Sequence, residues 1–159
     1  MNKKPMKPDV ALVRLETLCA ASEQCEYDLR QKLKKWGVGG DDAEKIIESL
    51  EERRFFDNGR FAQAFVNDKL RFNHWGQRKI RQSLRLKRVA ADLIDGAMYA
   101  IDDGDFTEVL RDILRTRARR MPQPLSYDDK MRLARFAISR GFEISEILSI
   151  VNEPGLCDE

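Results

Sequence analysis

Arg78, Arg81, Arg85 and Arg88 recur at spacings of three, four and three residues. At about 100° per residue this keeps them within an arc of roughly 80° on one helix. A row of guanidinium groups makes charge-assisted, bidentate contacts with phosphate or carboxylate oxygens, at a lower desolvation cost than lysine ammonium groups. Lys69, Arg71, Lys79 and Lys87 widen the row into a patch. Residues 69–90 contain eight Lys or Arg and no Asp or Glu, so a chain of net charge +2 carries −6 elsewhere. The balancing acid is concentrated, with seven carboxylates against three bases in residues 41–57. A chain so polarised presents different faces to different partners. The basic run reads in two ways. It grips a polyanion or an acidic protein surface, or it is a solvated face paired with the acidic helix of the preceding repeat, where ion pairs contribute little. Four phosphates neutralised would give a salt slope of about −3.6, or on the order of a hundredfold weakening between about 50 and 200 mM salt.

A second basic cluster comprises Arg111, Arg115, Arg117, Arg119 and Arg120, diluted only by Asp112. Arg111, Arg115 and Arg119 could extend the same surface, although cations also gather at helix C-termini for dipole reasons.

Other chemistry finds little support. His74 is the only histidine, and no Ser or Cys is placed in sequence to form a nucleophile–base pair with it. Gly37-Val38-Gly39-Gly40 lacks the Lys-Ser/Thr and the preceding strand of a phosphate loop, so it reads as a turn. Cys19, Cys25 and Cys157 form no CxxC pair, which argues against a structural zinc site and for reduced thiols. No enzyme, cofactor or metal is therefore expected. The basic N-terminus has no apolar run behind it, so neither a signal peptide nor a membrane span is expected, and the expected location is cytoplasmic.

The elements that must position the arginines come from an internal repeat. Leu29, Leu33, Trp36-Gly37-Val38, Asp41, Ala43, Ile46, Ile47 and Leu50, advanced by 51 residues, land on Ile80, Leu84, Lys87-Arg88-Val89, Asp92, Ile94, Ala97, Met98 and Ile101. A step of 104 lands on Leu133, Ala137, Arg140-Gly141-Phe142, Ser145, Ile147, Ile150 and Val151. Each copy reads as a helix, a short turn, an N-cap and a second helix. Asp41, Asp92 and Ser145 are the expected caps, Asp41 with Glu44 as a capping box. A further helix precedes each pair, over 10–21, 59–72 and 106–119. Pro5, Pro8, Pro122, Pro124 and Pro154 fall outside all of these.

The fold class is thus all-α, with three tandem three-helix repeats at 9–56, 57–103 and 104–152 between flexible tails at 1–8 and 153–159. Small units of this size need stacked neighbours to bury enough surface, so an elongated, curved stack is expected, right- or left-handed. Ile80 and Leu84 would pack inward and fix the helix bearing the arginines, taken to run from Trp75 to Val89. Asp57 reads as an N-cap with Arg60 one turn on.

The run Asp57-Asn-Gly-Arg60-Phe61-Ala62, set between Leu29-Arg-Gln-Lys-Leu33 and Trp75-Gly76 with Lys79-Ile80 following, resembles the RecX family of regulatory proteins. The resemblance covers roughly residues 10–152. It departs at the end of the second repeat's middle helix, where Lys87-Arg88 lacks a glycine suited to a left-handed helix end. The resemblance implies a RecA recombinase filament as partner. Such proteins lie in the groove of the nucleoprotein helix and inhibit ATP hydrolysis, strand exchange and co-protease activity. Single- or double-stranded DNA is then a second partner of the basic residues, and a monomer is expected. The alternative is a helical repeat protein that binds nucleic acid directly, without a recombinase.

Overall fold

The computed structural model describes residues 4–157. Among them are nine α-helices and no strand: α1 Pro8–Ala21, α2 Glu26–Lys35, α3 Gly40–Glu52, α4 Asn58–Arg71, α5 Gln77–Leu86, α6 Ala91–Tyr99, α7 Asp103–Ala118, α8 Tyr127–Ser139 and α9 Ile144–Val151. They group in threes along the repeats, α1–α3, α4–α6 and α7–α9. The chain folds into two compact units, the first formed by residues up to 64 together with 84–94, the second by residues 65–83 together with those from 95 onward. The division runs through α4, α5 and α6.

The repeat is an identity of hydrogen bonding as well as of apolar spacing. The middle helix of each triplet ends in the same pair of bonds: Val38 N to Leu33 O and Gly37 N to Lys34 O, Val89 N to Leu84 O and Arg88 N to Arg85 O, Phe142 N to Ala137 O and Gly141 N to Ile138 O. This Schellman turn satisfies orphan carbonyls by placing one residue in the left-handed region. Gly37 and Gly141 do so at φ 76° and 96°, and Arg88 does so at 57° despite its side chain. The departure noted in sequence therefore leaves the turn intact, at the cost of a strained arginine backbone. The helix itself is shorter than the expected Trp75–Val89: α5 runs over Gln77–Leu86, and Arg88 lies two residues beyond its end, as Gly37 and Gly141 lie beyond α2 and α8.

In the first unit, Ala11, Leu15, Leu29, Leu33, Ile46, Ile47 and Leu50 form a buried core against which Met6 packs. The backbone N–H of Met6 donates to Trp36 O at 2.9 Å, and Pro8 opens α1, where its missing N–H costs nothing. In the second unit, Leu110, Leu114, Leu133, Ala137, Ile147, Ile150 and Leu156 form the corresponding core. Residues 1–3 and 158–159, parts of the expected tails, lie outside the described residues.

The expected caps need correction. The N-caps of α3 and α9 are Gly39 and Glu143, neither making a side-chain cap bond, and α6 begins at Ala91. Asp41, Asp92 and Ser145 each fall at the second helical residue, where an acidic group still meets the positive end of the dipole. The Asp41–Glu44 box does not form. Glu44 instead accepts from Arg30 at 2.6 and 3.2 Å, and that guanidinium holds its carboxyl below the usual range. Asp57 does cap α4, accepting from Arg60 N at 2.9 Å, while the Arg60 side chain reaches Glu23 and Arg54 O. The complete capping box lies at Ser126 and Asp129 of α8.

Candidate nucleic-acid interface

Helix α5 is an apolar stripe beside a basic one. Ile80 and Leu84 are fully buried. Gln77–Leu86 holds Arg78, Lys79, Arg81 and Arg85 and no acid, with Lys87 and Arg88 just beyond its end. Carboxylates absent from the run arrive from other elements. In the second unit Arg71 meets Asp105 at 2.8 Å, Arg78 meets Glu143 at 3.0 Å and Arg81 meets Asp95 at 2.7 Å. In the first unit Lys87 meets Asp28 at 2.8 Å.

The other four cations of residues 69–90 have no carboxylate partner among the described residues. Lys69 and Lys79 place their ammonium groups over the Trp75 ring, 4.8 and 4.6 Å from its centre. Phe65 meets the same ring edge-on at 6.4 Å. Arg88 lies over Tyr27 at 5.3 Å. Arg85 is exposed and makes no ion pair among the described residues. Trp75 itself is half-buried and carries both cations on its ring.

Arg81–Asp95 had a signal in the sequence that the charge count passed over. Its two residues stand 14 apart, as do Arg30 and Glu44. Arg81 and Asp95 are the positions of Arg30 and Glu44 advanced by 51 residues. The same brace joins the second and third helices in repeats one and two. In repeat three its positions are Ala134 and Leu148, which cannot form an ion pair. Arg81 is thus a repeat-bracing residue as well as a member of the basic stripe.

The start of α5 is locked to the end of α8. Gly76 N donates to Arg140 O at 2.7 Å and Arg78 N to Gly141 O at 3.1 Å. The Arg140 guanidinium donates to Asn73 O at 2.8 Å, and Lys79 Nζ to Ser139 O at 3.4 Å. Free N–H groups at one helix start thereby meet free carbonyls at another helix end. Of the second cluster, Arg111 pairs with Glu153 at 3.0 Å. Arg115 reaches Asp112 at 3.8 Å and Leu156 O at 3.3 Å. Arg119 is exposed without an ion pair among the described residues.

No group of three or more metal-binding side chains comes together among the described residues, and no helix there is long and apolar enough to cross a membrane. Burial pushes the Cys25 thiol up to about 11, outweighing the lowering effect of a backbone hydrogen bond with Asp28.

Residues 57–98 match the family model described as RecX, second three-helix domain. A regulatory protein RecX from Salmonella arizonae is 29% identical over 92% of this chain and 93% of its own length. One from Clostridium botulinum is 32% identical over 80% of this chain and 60% of its own. One from Lactobacillus johnsonii is 33% identical over 52% of this chain, which spans 30% of that relative. Two crystal structures share the fold: one of a regulatory protein RecX, with TM-score 0.79 and 21% identity over 92% of this chain and 73% of that one, and RecX from Lactobacillus salivarius, with TM-score 0.75 and 14% identity over 91% and 96%.

Proposed function

We propose that the chain is a RecX-family protein, like the relatives it is similar to, and that it regulates RecA recombinase by binding RecA filaments on DNA, with the cations on and around α5 as the phosphate-binding residues. The observation that carries this reading is that four of the eight cations in residues 69–90, namely Lys69, Lys79, Arg85 and Arg88, lack a carboxylate partner among the described residues. The pairs formed by the others are partly exposed, and Arg78 and Glu143 are each more than half exposed. Exposed pairs of this kind are worth about 0.2–1 kcal/mol, so phosphate can exchange for the carboxylate at small cost. The backbone bonds from Gly76 and Arg78 to the end of α8 hold the start of α5 in place, which reduces the ordering cost on binding.

Bound along a filament, the protein would inhibit ATP hydrolysis, strand exchange and co-protease activity by occupying the groove in which those reactions are coordinated. The test is RecA ATP hydrolysis on single-stranded DNA with increasing amounts of this protein, together with co-sedimentation with the filaments at two salt concentrations. Falling turnover and salt-sensitive pelleting support the proposal. Unchanged turnover at saturation, with the protein left in the supernatant, overturns it. Tight duplex binding without recombinase would favour the direct nucleic-acid reading instead.

A further inference from the structure

The second unit contains a groove of about 320 Å³ that α5 does not line. Val109 and Ile113 of α7 and Phe136 of α8 give it an apolar floor, half-buried rather than closed over. His74 and Thr116 stand at its edge, and Arg117 and Arg120 bring two guanidinium groups to it. We propose that this groove docks an acidic segment of a partner protein, with an apolar side chain on Val109, Ile113 and Phe136 and carboxylates on Arg117 and Arg120. The proposal does not depend on α5 binding phosphate.

Among the described residues, the cations of this part of the chain are not all paired. Arg111 and Arg115 are taken up by Glu153, Asp112 and the Leu156 carbonyl. Arg117 and Arg120 have no carboxylate partner among the described residues. Nor are they spent on the helix end, because Gln123 Nε2 donates to Ala118 O at 2.9 Å and to Met121 O at 3.1 Å. Arg117 instead holds its guanidinium over Phe136, with Cζ 3.5 Å from the ring centre, and Arg140 is also near that ring at 5.0 Å. A guanidinium stacked on an aromatic face is held in one orientation while its N–H edge stays available for a carboxylate.

The apolar floor selects a peptide over a nucleic acid. A space of this volume sits at the small end of ligand sites and suits one or two side chains. The Asp112 carboxylate in its wall opposes a continuous line of phosphates. A peptide can place its carboxylates at the arginine end and an apolar residue beside Asp112.

The test uses the full chain and a short fluorescein-labelled peptide of glutamates flanking two phenylalanines, read by fluorescence anisotropy. Saturable binding is expected. Arg117→Glu with Arg120→Glu should weaken it at least about tenfold. Thr116→Trp, which fills the groove from an exposed position, should weaken it as well. Arg85→Glu should leave it unchanged, and an all-glutamate peptide should bind at least about tenfold more weakly because burial of its apolar groups is lost. Circular dichroism verifies that each variant is folded. The proposal is overturned by absence of saturable binding, by equal binding of the all-glutamate peptide, by loss through Arg85→Glu but not through the groove variants, or by displacement with oligothymidylate.

Discussion

Gly76 and Gly141 meet backbone to backbone, so closely that neither position has room for a side chain. A Cβ on Gly76 would lie 2.5 Å from both C and O of Gly141, and one on Gly141 would lie 2.6 Å from Lys79 N. Gly141 is also left-handed at φ 96°. The contact allows the N–H groups of Gly76 and Arg78 to reach the carbonyls of Arg140 and Gly141. It converts two helix ends with unmet hydrogen bonds into one satisfied junction.

Gly76→Ala should therefore lower unfolding stability by about 2–4 kcal/mol, combining overpacking with loss of a buried backbone bond. Gly96→Ala is the matched control. Gly96 lies inside α6 with open space around it, so alanine there should raise stability by about 0.5–1 kcal/mol. Urea denaturation of both variants checks the pair. Equal effects would mean that the α5–α8 junction relaxes freely.

Arg88 occupies the left-handed position that Gly37 and Gly141 fill in the other repeats. A non-glycine residue there costs about 1–2 kcal/mol of backbone strain, and stacking on Tyr27 returns about 0.5–1 kcal/mol. Arg88→Ala keeps the strain and loses the stacking, whereas Arg88→Gly loses both. The glycine variant should thus be more stable than the alanine variant by about 1 kcal/mol, measured as the difference in urea midpoints. Both should bind DNA-bound filaments less well than the parent.

The parts of this structure that the sequence announces are those carried by local spacing. The apolar register at steps of 51 and 104 residues locates the second and third helices of each repeat, and the apolar stripes of the preceding segments locate the first, because burying one face of a helix demands that spacing. Caps are less legible. Asp41, Asp92 and Ser145 satisfy the same composition rule at the first or second helical residue as at the cap, so their type alone does not fix the boundary. The partners of the arginines are hidden for a different reason. Arg78–Glu143 and Lys87–Asp28 join residues 65 and 59 apart, and a charge count within one run cannot see them. Only Arg81–Asp95 is readable, through its likeness in register to Arg30–Glu44.

The brace gives a direct test of how phosphate competes with carboxylate. Asp95→Asn frees Arg81 from its 2.7 Å partner without changing shape. Filament binding should tighten by no more than about fivefold, the equivalent of one exposed ion pair. Arg85→Glu, at an unpaired position, should weaken binding more than Asp95→Asn strengthens it, and should flatten the salt dependence by about one unit of slope or more. Weakened binding by Asp95→Asn would show that the brace positions α5 rather than competing for Arg81.

Cys25 supplies a pH-dependent prediction. It is fully buried at the start of α2, and burial raises its thiol from the ordinary 9.0 to about 11. Because the folded value exceeds the unfolded one, the neutral thiol's contribution to stability is complete below about pH 9 and is lost as pH rises through about 11. Urea midpoints should fall between about pH 8 and about pH 10.5 more steeply for the parent than for Cys25→Ala, where this group cannot titrate. A thiol reagent at neutral pH should modify Cys19 and Cys157, both partly exposed, well before Cys25. If Cys25 reacts as fast as the other two in the folded protein, the start of α2 opens on the timescale of labelling. Its contact with Lys87 through Asp28 would then be too weak to hold the first unit's share of the basic run in place.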